Sequence, residues 1–436
     1  VESAIVAEAE ELRWRAQVID AAQAVGLSFG PVGIRSDRIE FASLATFDLN
    51  HWEEAYRQWL TLPDPATLSS MSPAQVSALF AAFSPSLATT YTHTYPNLVG
   101  ALDGAPPSLR YLANELLIEA KIDELHSQLD ELDSSRGRSW VRWLTSTLYL
   151  DWIRSPALAD VLTEHYQRQI GEYRRWLDEE RQILLFDPAG DGRVVEVFGD
   201  LASAGQIGVA VPGMSNDLGN FSLDGGGFRD NALRLYESSL DLGGQDVATI
   251  AWLGYNSPDN IGAATRGAAS DGAPALRRFL DGIDPHGDKQ VTVVAHSYGS
   301  VVAGLAAGDG LAADNLVFVG SPGTTLDHAD DALLRPEGRV WVALADADPI
   351  GLGISPSELP PAWVPPPLMP IVFAIDLEIN GPEELWHGAN PANREFGADR
   401  LTTDGSSGHS AYFQAESLLN LARIVQGQYD DVELVG

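Results

Sequence analysis

The stretch Ala295-His296-Ser297-Tyr298-Gly299 follows a β-branched run, Val291 to Val294, and precedes a small, apolar stretch, Ser300 to Ala307, with helical spacing. Strand, sharp turn and helix form the context of a nucleophile elbow, which holds a serine in a strained backbone conformation at its tip. Small residues two before and two after the serine let strand and helix pass closely; Ala295 and Gly299 hold those places. A serine hydroxyl is a weak nucleophile until a base takes its proton. The base, usually histidine, needs a carboxylate to fix its tautomer and stabilise the imidazolium.

Both partners are available downstream, in the order serine, acid, histidine that this chemistry takes on a doubly wound sheet. The run Val340 to Ala345 leads into Asp346-Ala347-Asp348-Pro349, where strands of such a sheet end beside the elbow. Asp348 is favoured because Pro349 turns the loop; Asp346 is the competing carboxylate. Among the histidines, His296 adjoins the serine and points away, His286 precedes the nucleophile strand, and His328 precedes the acid. His387 and His409 both follow it. His409 is favoured, in the loop Ser406-Ser407-Gly408-His409-Ser410 ahead of a closing helix, Ala411 to Val425. A tetrahedral intermediate also needs N–H donors for its oxyanion, each worth about 3 kcal/mol. The backbone amide of Tyr298 is one; Met214 or Ser215, in the loop after Ile207 to Val211, would supply the second.

The elements that position these groups follow from periodicity. The pattern changes near residue 183 with a short apolar run, Ile183 to Asp187, and Arg193 to Phe198, Ile207 to Val211, Ala248 to Leu253, Val291 to Ala295, Asn315 to Val319 and Val340 to Ala345 read as strands. Helical stretches at Asn231 to Leu240, Ala263 to Leu280 and Val301 to Ala307 lie between them. This alternation predicts an α/β class, with a mostly parallel, doubly wound sheet and helices on both faces. Before it the chain is helical: Val6 to Val25, Leu49 to Leu60, Ser72 to Phe83, Pro107 to Leu132, Trp140 to Ile153 and Ala157 to Leu185. The expected division is a helical region, 1–182, followed by a catalytic domain, 183–436.

Composition narrows the function. The 436 residues carry 61 acidic and 27 basic side chains, a formal net charge of -34, which disfavours nucleic acid and anionic membrane surfaces as partners. Cysteine is absent, so disulfides and thiol catalysis are excluded. No metal-ligating spacing of histidines and acids stands out, and neither a metal nor an organic cofactor is expected. Gly225-Gly226-Gly227 has no lysine and follows no strand, unlike a phosphate loop. No run is apolar and long enough to span a bilayer, so a soluble bacterial protein is expected, cytoplasmic or secreted. The first residue is Val1, compatible with a removed leader, and the two lysines, Lys121 and Lys289, against many arginines suggest a GC-rich genome.

Val211-Pro212-Gly213-Met214, Ala295 to Ser300, Gly320-Ser321-Pro322-Gly323, Asp348-Pro349 and Gly408-His409-Ser410-Ala411-Tyr412-Phe413 together resemble an actinobacterial α/β-hydrolase family catalogued as a domain of unknown function, within the serine esterase and lipase superfamily. Leu102 to Pro106 and Leu185 to Pro188 fit its lead-in, so the resemblance spans about residues 95 to 427. It implies the α/β-hydrolase fold and the triad Ser297, Asp348 and His409, with no substrate specified. The expected activity is hydrolysis of carboxylic esters, including lipid esters, through an acyl-enzyme. Amide hydrolysis or acyl transfer on the same triad, or a secreted toxin or interaction protein working through its helical N-terminus, are the alternatives. The proline-rich stretch from Ser355 to Ile375 departs from the family pattern. Its prolines forbid a regular helix, and Trp363, Leu368 and Met369 are expected to wall the acyl pocket, as a lid or as a structural strap.

Overall fold

The structure is a computed structural model describing residues 65–143, 156–222, 227–258, 266–352, 384–385 and 387–435. The expected helices Val6 to Val25 and Leu49 to Leu60 and the segment with Trp363, Leu368 and Met369 lie outside the described residues, as does most of Trp140 to Ile153. Strands β1 (Gln182–Asp187), β2 (Arg193–Phe198), β3 (Gln206–Val211), β4 (Val247–Leu253), β5 (Gln290–His296), β6 (Asn315–Val319) and β7 (Arg339–Ala343) are followed by two-residue strands β8 (Glu384–Leu385), β9 (Gly388–Ala389) and β10 (Asp399–Arg400). The helices among the described residues are α1 (Pro65–Ser70), α2 (Pro73–Ala81), α3 (Pro85–Thr94), α4 (Pro96–Gly100), α5 (Pro107–Trp143), α6 (Pro156–Asp178), α7 (Arg229–Asp241), α8 (Gly267–Ile283), α9 (Gly299–Gly308) and α10 (Ala415–Val425).

Eight strands form one sheet in the order β1-β2-β4-β3-β5-β6-β7-β10. From β4 to β10 all neighbours are parallel; β1 and β2 join antiparallel. This is the α/β-hydrolase fold. The central strands read as unbroken apolar runs because both of their faces are covered. Val291, Val293 and Ala295 pack toward α8 and α9, while Val294 between them packs toward α7 and α10. The order reverses at β3, which has β4 on one side and β5 on the other. The carboxyl ends of β3 and β5 therefore flank a topological switch point, where such sheets bind ligands.

The helices preceding the sheet are fastened to its edge. A small core of Leu68, Val76, Phe80, Tyr91, Val99 and Leu102 ties α1 to α4 together. Helices α3 and α4, each opened by a proline, Pro85 and Pro96, at its first turn, fall in a stretch where the sequence predicts no helix. On α5, the buried Asn114 accepts from the Phe186 N–H (3.0 Å) and donates to the Ile183 carbonyl (3.0 Å). One residue along, the β1 register slips between Ile183 and Leu185, and Arg110 Nε donates to the Leu184 carbonyl at 3.1 Å. Two side chains of α5 thus do for β1 what a further strand would. Against the expected Ala157 to Leu185 helix, α6 stops at Asp178 and the last residues enter β1, where Ile183 and Phe186 join the sheet core.

Asn114→Ala should lower unfolding stability by about 2 kcal/mol, because it strands one buried N–H and one buried carbonyl. A urea denaturation midpoint equal to wild type would show that water replaces both bonds.

Candidate active site

Ser297 sits between β5 and α9 at φ +53°, in the left-handed region that costs a non-glycine residue roughly 1–3 kcal/mol. Its N–H donates to the Val319 carbonyl of β6 (3.0 Å), which ties the strained turn to the next strand. The turn is possible because two neighbours lack a side chain. A Cβ on Gly299 would lie 2.6 Å from the Pro212 carbonyl oxygen, and one on Gly213 would lie 2.6 Å from Ser297 Cβ. The loop after β3 therefore runs directly over the serine, with no room between them for a methyl group.

Asp348 follows β7, and His409 lies in the loop between β10 and α10. Ser297 Oγ is 2.9 Å from His409 Nε2. His409 Nδ1 is 3.1 Å from each oxygen of Asp348. Asp348 is only 4% exposed, and its Oδ1 also accepts from the Ile350 N–H at 3.0 Å. The Tyr412 hydroxyl donates to Asp348 Oδ2 while accepting from the Ala345 N–H. Burial works to raise the Asp348 pKa, but the bonds from His409, Tyr412 and Ile350 outweigh it and hold the carboxyl below its usual value. An ionised carboxylate only accepts, so His409 Nδ1 carries the proton and Nε2 is left to accept from Ser297. A hydroxyl, an imidazole and a carboxylate linked in this way can activate the oxygen for attack on a carbonyl.

The competing residues stand elsewhere. Asp346 is exposed, and its backbone carbonyl takes the Gly408 N–H (2.9 Å), so it serves the histidine loop through its main chain. His387 is buried with its ring edge-on to Tyr298, 5.7 Å between centroids. His328 caps a short turn at Ala329. His296, next to the serine in sequence, holds the histidine loop. Its Nε2 donates to the His409 backbone carbonyl at 2.8 Å, and its ring lies 4.9 Å from that of His409. Burial, and then the nearby His409, lower its pKa to about 4, so it holds the loop as a neutral ring.

Of the expected oxyanion donors, Tyr298 directly follows the serine, and its hydroxyl takes the Ala269 N–H at 3.2 Å. Ser215 is a correction: its N–H is spent on the Pro258 carbonyl (3.0 Å), which leaves Met214 in that loop. Residues 409–414 also stay outside the final helix, which starts at Ala415 and not at Ala411. Gln414 is extended (φ -154°, ψ 167°), so the helix opens only after it, and Tyr412 in the preceding loop bonds to Asp348. Tyr412 is a site side chain with no individual signal in the sequence. Tyr412 was legible only as one letter of the Gly408 to Phe413 motif. Among the described residues no cluster of histidines and acids is placed to hold a metal, and no helix is long and apolar enough to cross a membrane.

Residues 187–354 match the alpha/beta hydrolase family model, a stretch that includes Ser297 and Asp348 and ends before His409. An uncharacterized Mycobacterium tuberculosis protein is 34% identical over 165 residues, 35% of this chain and 62% of that protein. A second protein of that species is 29% identical over 286 residues, 59% of this chain and 40% of that protein. The chain thus spans less than two thirds of the length of these curated relatives. Among solved structures, the Thermus thermophilus protein TT1662 has a TM-score of 0.31 at 12% identity, over 55% of this chain and 93% of that one. An esterase from Exiguobacterium antarcticum has a TM-score of 0.19 at 15% identity, over 34% and 49%. The resemblance to actinobacterial α/β hydrolases therefore rests on sequence, and the fold agrees with it.

His296 gives a pH dependence whose sign is fixed. Its folded pKa lies below the ordinary 6.5, so as the pH falls from 6.5 to about 4 the unfolded chain binds a proton that the folded chain refuses. Stability present above 6.5 should be lost across that window. His296→Gln should show a shallower fall in Tm between neutral pH and about pH 4.5; equal slopes would place the acid sensitivity elsewhere.

Proposed function

We propose that this chain of α/β-hydrolase fold is a serine hydrolase that cleaves carboxylic esters, lipid esters included, through an acyl-enzyme. One observation carries the reading: the unbroken contact from Ser297 Oγ through His409 to a buried, ionised Asp348, starting from a serine on a left-handed elbow. His409 Nε2 takes the Ser297 proton as Oγ attacks the ester carbonyl. The Asp348 carboxylate stabilises the imidazolium that results. The backbone N–H groups of Tyr298 and Met214 receive the oxyanion. As the tetrahedral intermediate collapses, His409 returns the proton to the departing alcohol and Ser297 is left acylated. Water, deprotonated by the same histidine, then releases the acid and regenerates the hydroxyl.

The acidic composition suits a neutral or uncharged ester better than an anionic polymer. Trp363, Leu368 and Met369 stay proposed as the acyl-pocket wall; exchanging Trp363 for alanine should shift chain-length preference more than melting temperature.

A fluorophosphonate probe should label Ser297, and a panel of p-nitrophenyl esters from acetate to palmitate should be turned over. Ser297→Ala should abolish both with the fold intact. Folded wild-type protein that resists the probe and leaves every ester intact would overturn the assignment. Asp348→Asn should cost on the order of 10⁴ in kcat, the loss expected when the histidine tautomer is no longer held. Asp346→Asn should cost far less, and the reverse ranking would transfer the acid's role to Asp346.

A further inference from the structure

The loop that passes over Ser297 is gripped from behind. The Gly213 carbonyl accepts from the Ser257 hydroxyl at 2.8 Å, from Asn216 Nδ2 at 3.1 Å and, more weakly, from the Tyr255 hydroxyl at 3.4 Å. The Tyr255 hydroxyl donates chiefly to the preceding carbonyl, Pro212, at 2.8 Å. Asn216 Nδ2 also holds the Met214 carbonyl (2.8 Å), and the Asn216 N–H donates to Ser257 Oγ (3.3 Å). Tyr255 and Ser257 come from the loop after β4 and are 3% and 4% exposed. Two hydroxyls and an amide thus converge on three consecutive carbonyls. A plain strand-to-helix turn needs none of this.

A trans peptide fixes the consequence. Its C=O and N–H point in opposite directions across one plane, so whatever fixes the Gly213 carbonyl fixes the Met214 N–H as well. With the carbonyl turned to Ser257, the Met214 N–H is turned to the opposite side, on a peptide that begins at the residue packed against Ser297 Oγ. Gly213 has no side chain to resist a peptide flip, and a flip would present a carbonyl to the oxyanion in place of a donor. We infer that Ser257, backed by Asn216 and Tyr255, is a positioning residue that locks the Gly213–Met214 peptide with its N–H toward the nucleophile, so that the oxyanion site is formed before substrate arrives. The inference rests on the serine-hydrolase reading and adds to it the device that fixes the second donor.

Ser257→Ala removes the shortest of the three bonds and touches no reacting atom. Because one oxyanion donor is worth about 10²–10³ in kcat, partial loss of its alignment should lower kcat and the rate of fluorophosphonate labelling at Ser297 about 10- to 100-fold. KM for a p-nitrophenyl ester should stay within about threefold, since the donor acts on the tetrahedral species more than on the ground-state carbonyl. Phenylboronic acid, which forms a tetrahedral adduct on the serine, should lose affinity in parallel with kcat. Ser257→Thr restores the hydroxyl and should recover most of the loss; Asn216→Ala should reproduce part of it. A Ser257→Ala enzyme that keeps wild-type labelling and boronate affinity would overturn the clamp while leaving the serine assignment standing. Equal losses in the alanine and threonine variants, with a matching fall in Tm, would also overturn it and show a packing role. A wild-type protein inert to the probe would remove the reading and the clamp together.

Discussion

Ser297 is held in a conformation that serine does not favour, and the centre of the molecule is shaped by what that requires. The left-handed turn lifts the hydroxyl off the end of β5 only if the chain can leave at once into α9 and the loop after β3 can cross within contact distance. Backbone therefore meets backbone at Gly299, and the Gly213 backbone meets the serine side chain itself, at separations that any side chain on either glycine would abolish. The cost of the turn, roughly 1–3 kcal/mol, is small beside the burial of the strands that impose it. Val291, Val293, Val294 and Ala295 have no exposed surface, so β5 cannot slide or twist to relieve its own tip. Backbone strain at Ser297 persists because the sheet on both sides is over-determined.

Electrostatics add a second level of control. A carboxylate taken out of water would ordinarily prefer its proton, and Asp348 avoids that through three donors: Ile350 beside it, and His409 and Tyr412 from one distant loop. Each donor fixes an atom as well as a charge. Tyr412 pins the loop after His409 to the end of β7 through the Ala345 N–H, and His296 pins the backbone of His409 itself to the elbow. The three groups are thus held by neighbours of one another, and a change at any of them is felt at the others.

The sheet and the Ser297, Asp348 and His409 cluster were legible because their signals are local. A strand buried on both faces announces itself as an apolar run, and a small-residue elbow has few other readings. What escaped depends on partners distant in sequence. Ser257 lies 44 residues from the carbonyl it holds, and Asn114 lies 72 from the amide it satisfies. Neither has a neighbour in the sequence that would mark it. Met214 and Ser215 are equivalent candidates in the sequence, and only the Pro258 carbonyl, 43 residues from Ser215, takes up the Ser215 N–H. The end of the Ala157 to Leu185 stretch failed for a different reason: Ile183 to Phe186 suits a helix as well as a strand, and packing against Val194 and Trp176 makes the choice.

The capping of β1 by Arg110 and Asn114 bears on what the end of the sheet offers to other chains. A terminal strand with unmet N–H and C=O groups is an invitation to any other extended segment, including the same strand of another copy. Here amide and guanidinium groups on a helix take up the Ile183 and Leu184 carbonyls and the Phe186 N–H without offering a new edge. Releasing the sheet from its preceding helices would uncover Ile183 and Phe186 together with the bonding groups beside them, a sticky and directional surface. Among the described residues, α5 thus keeps part of this edge covered as long as the helix and the sheet stay together.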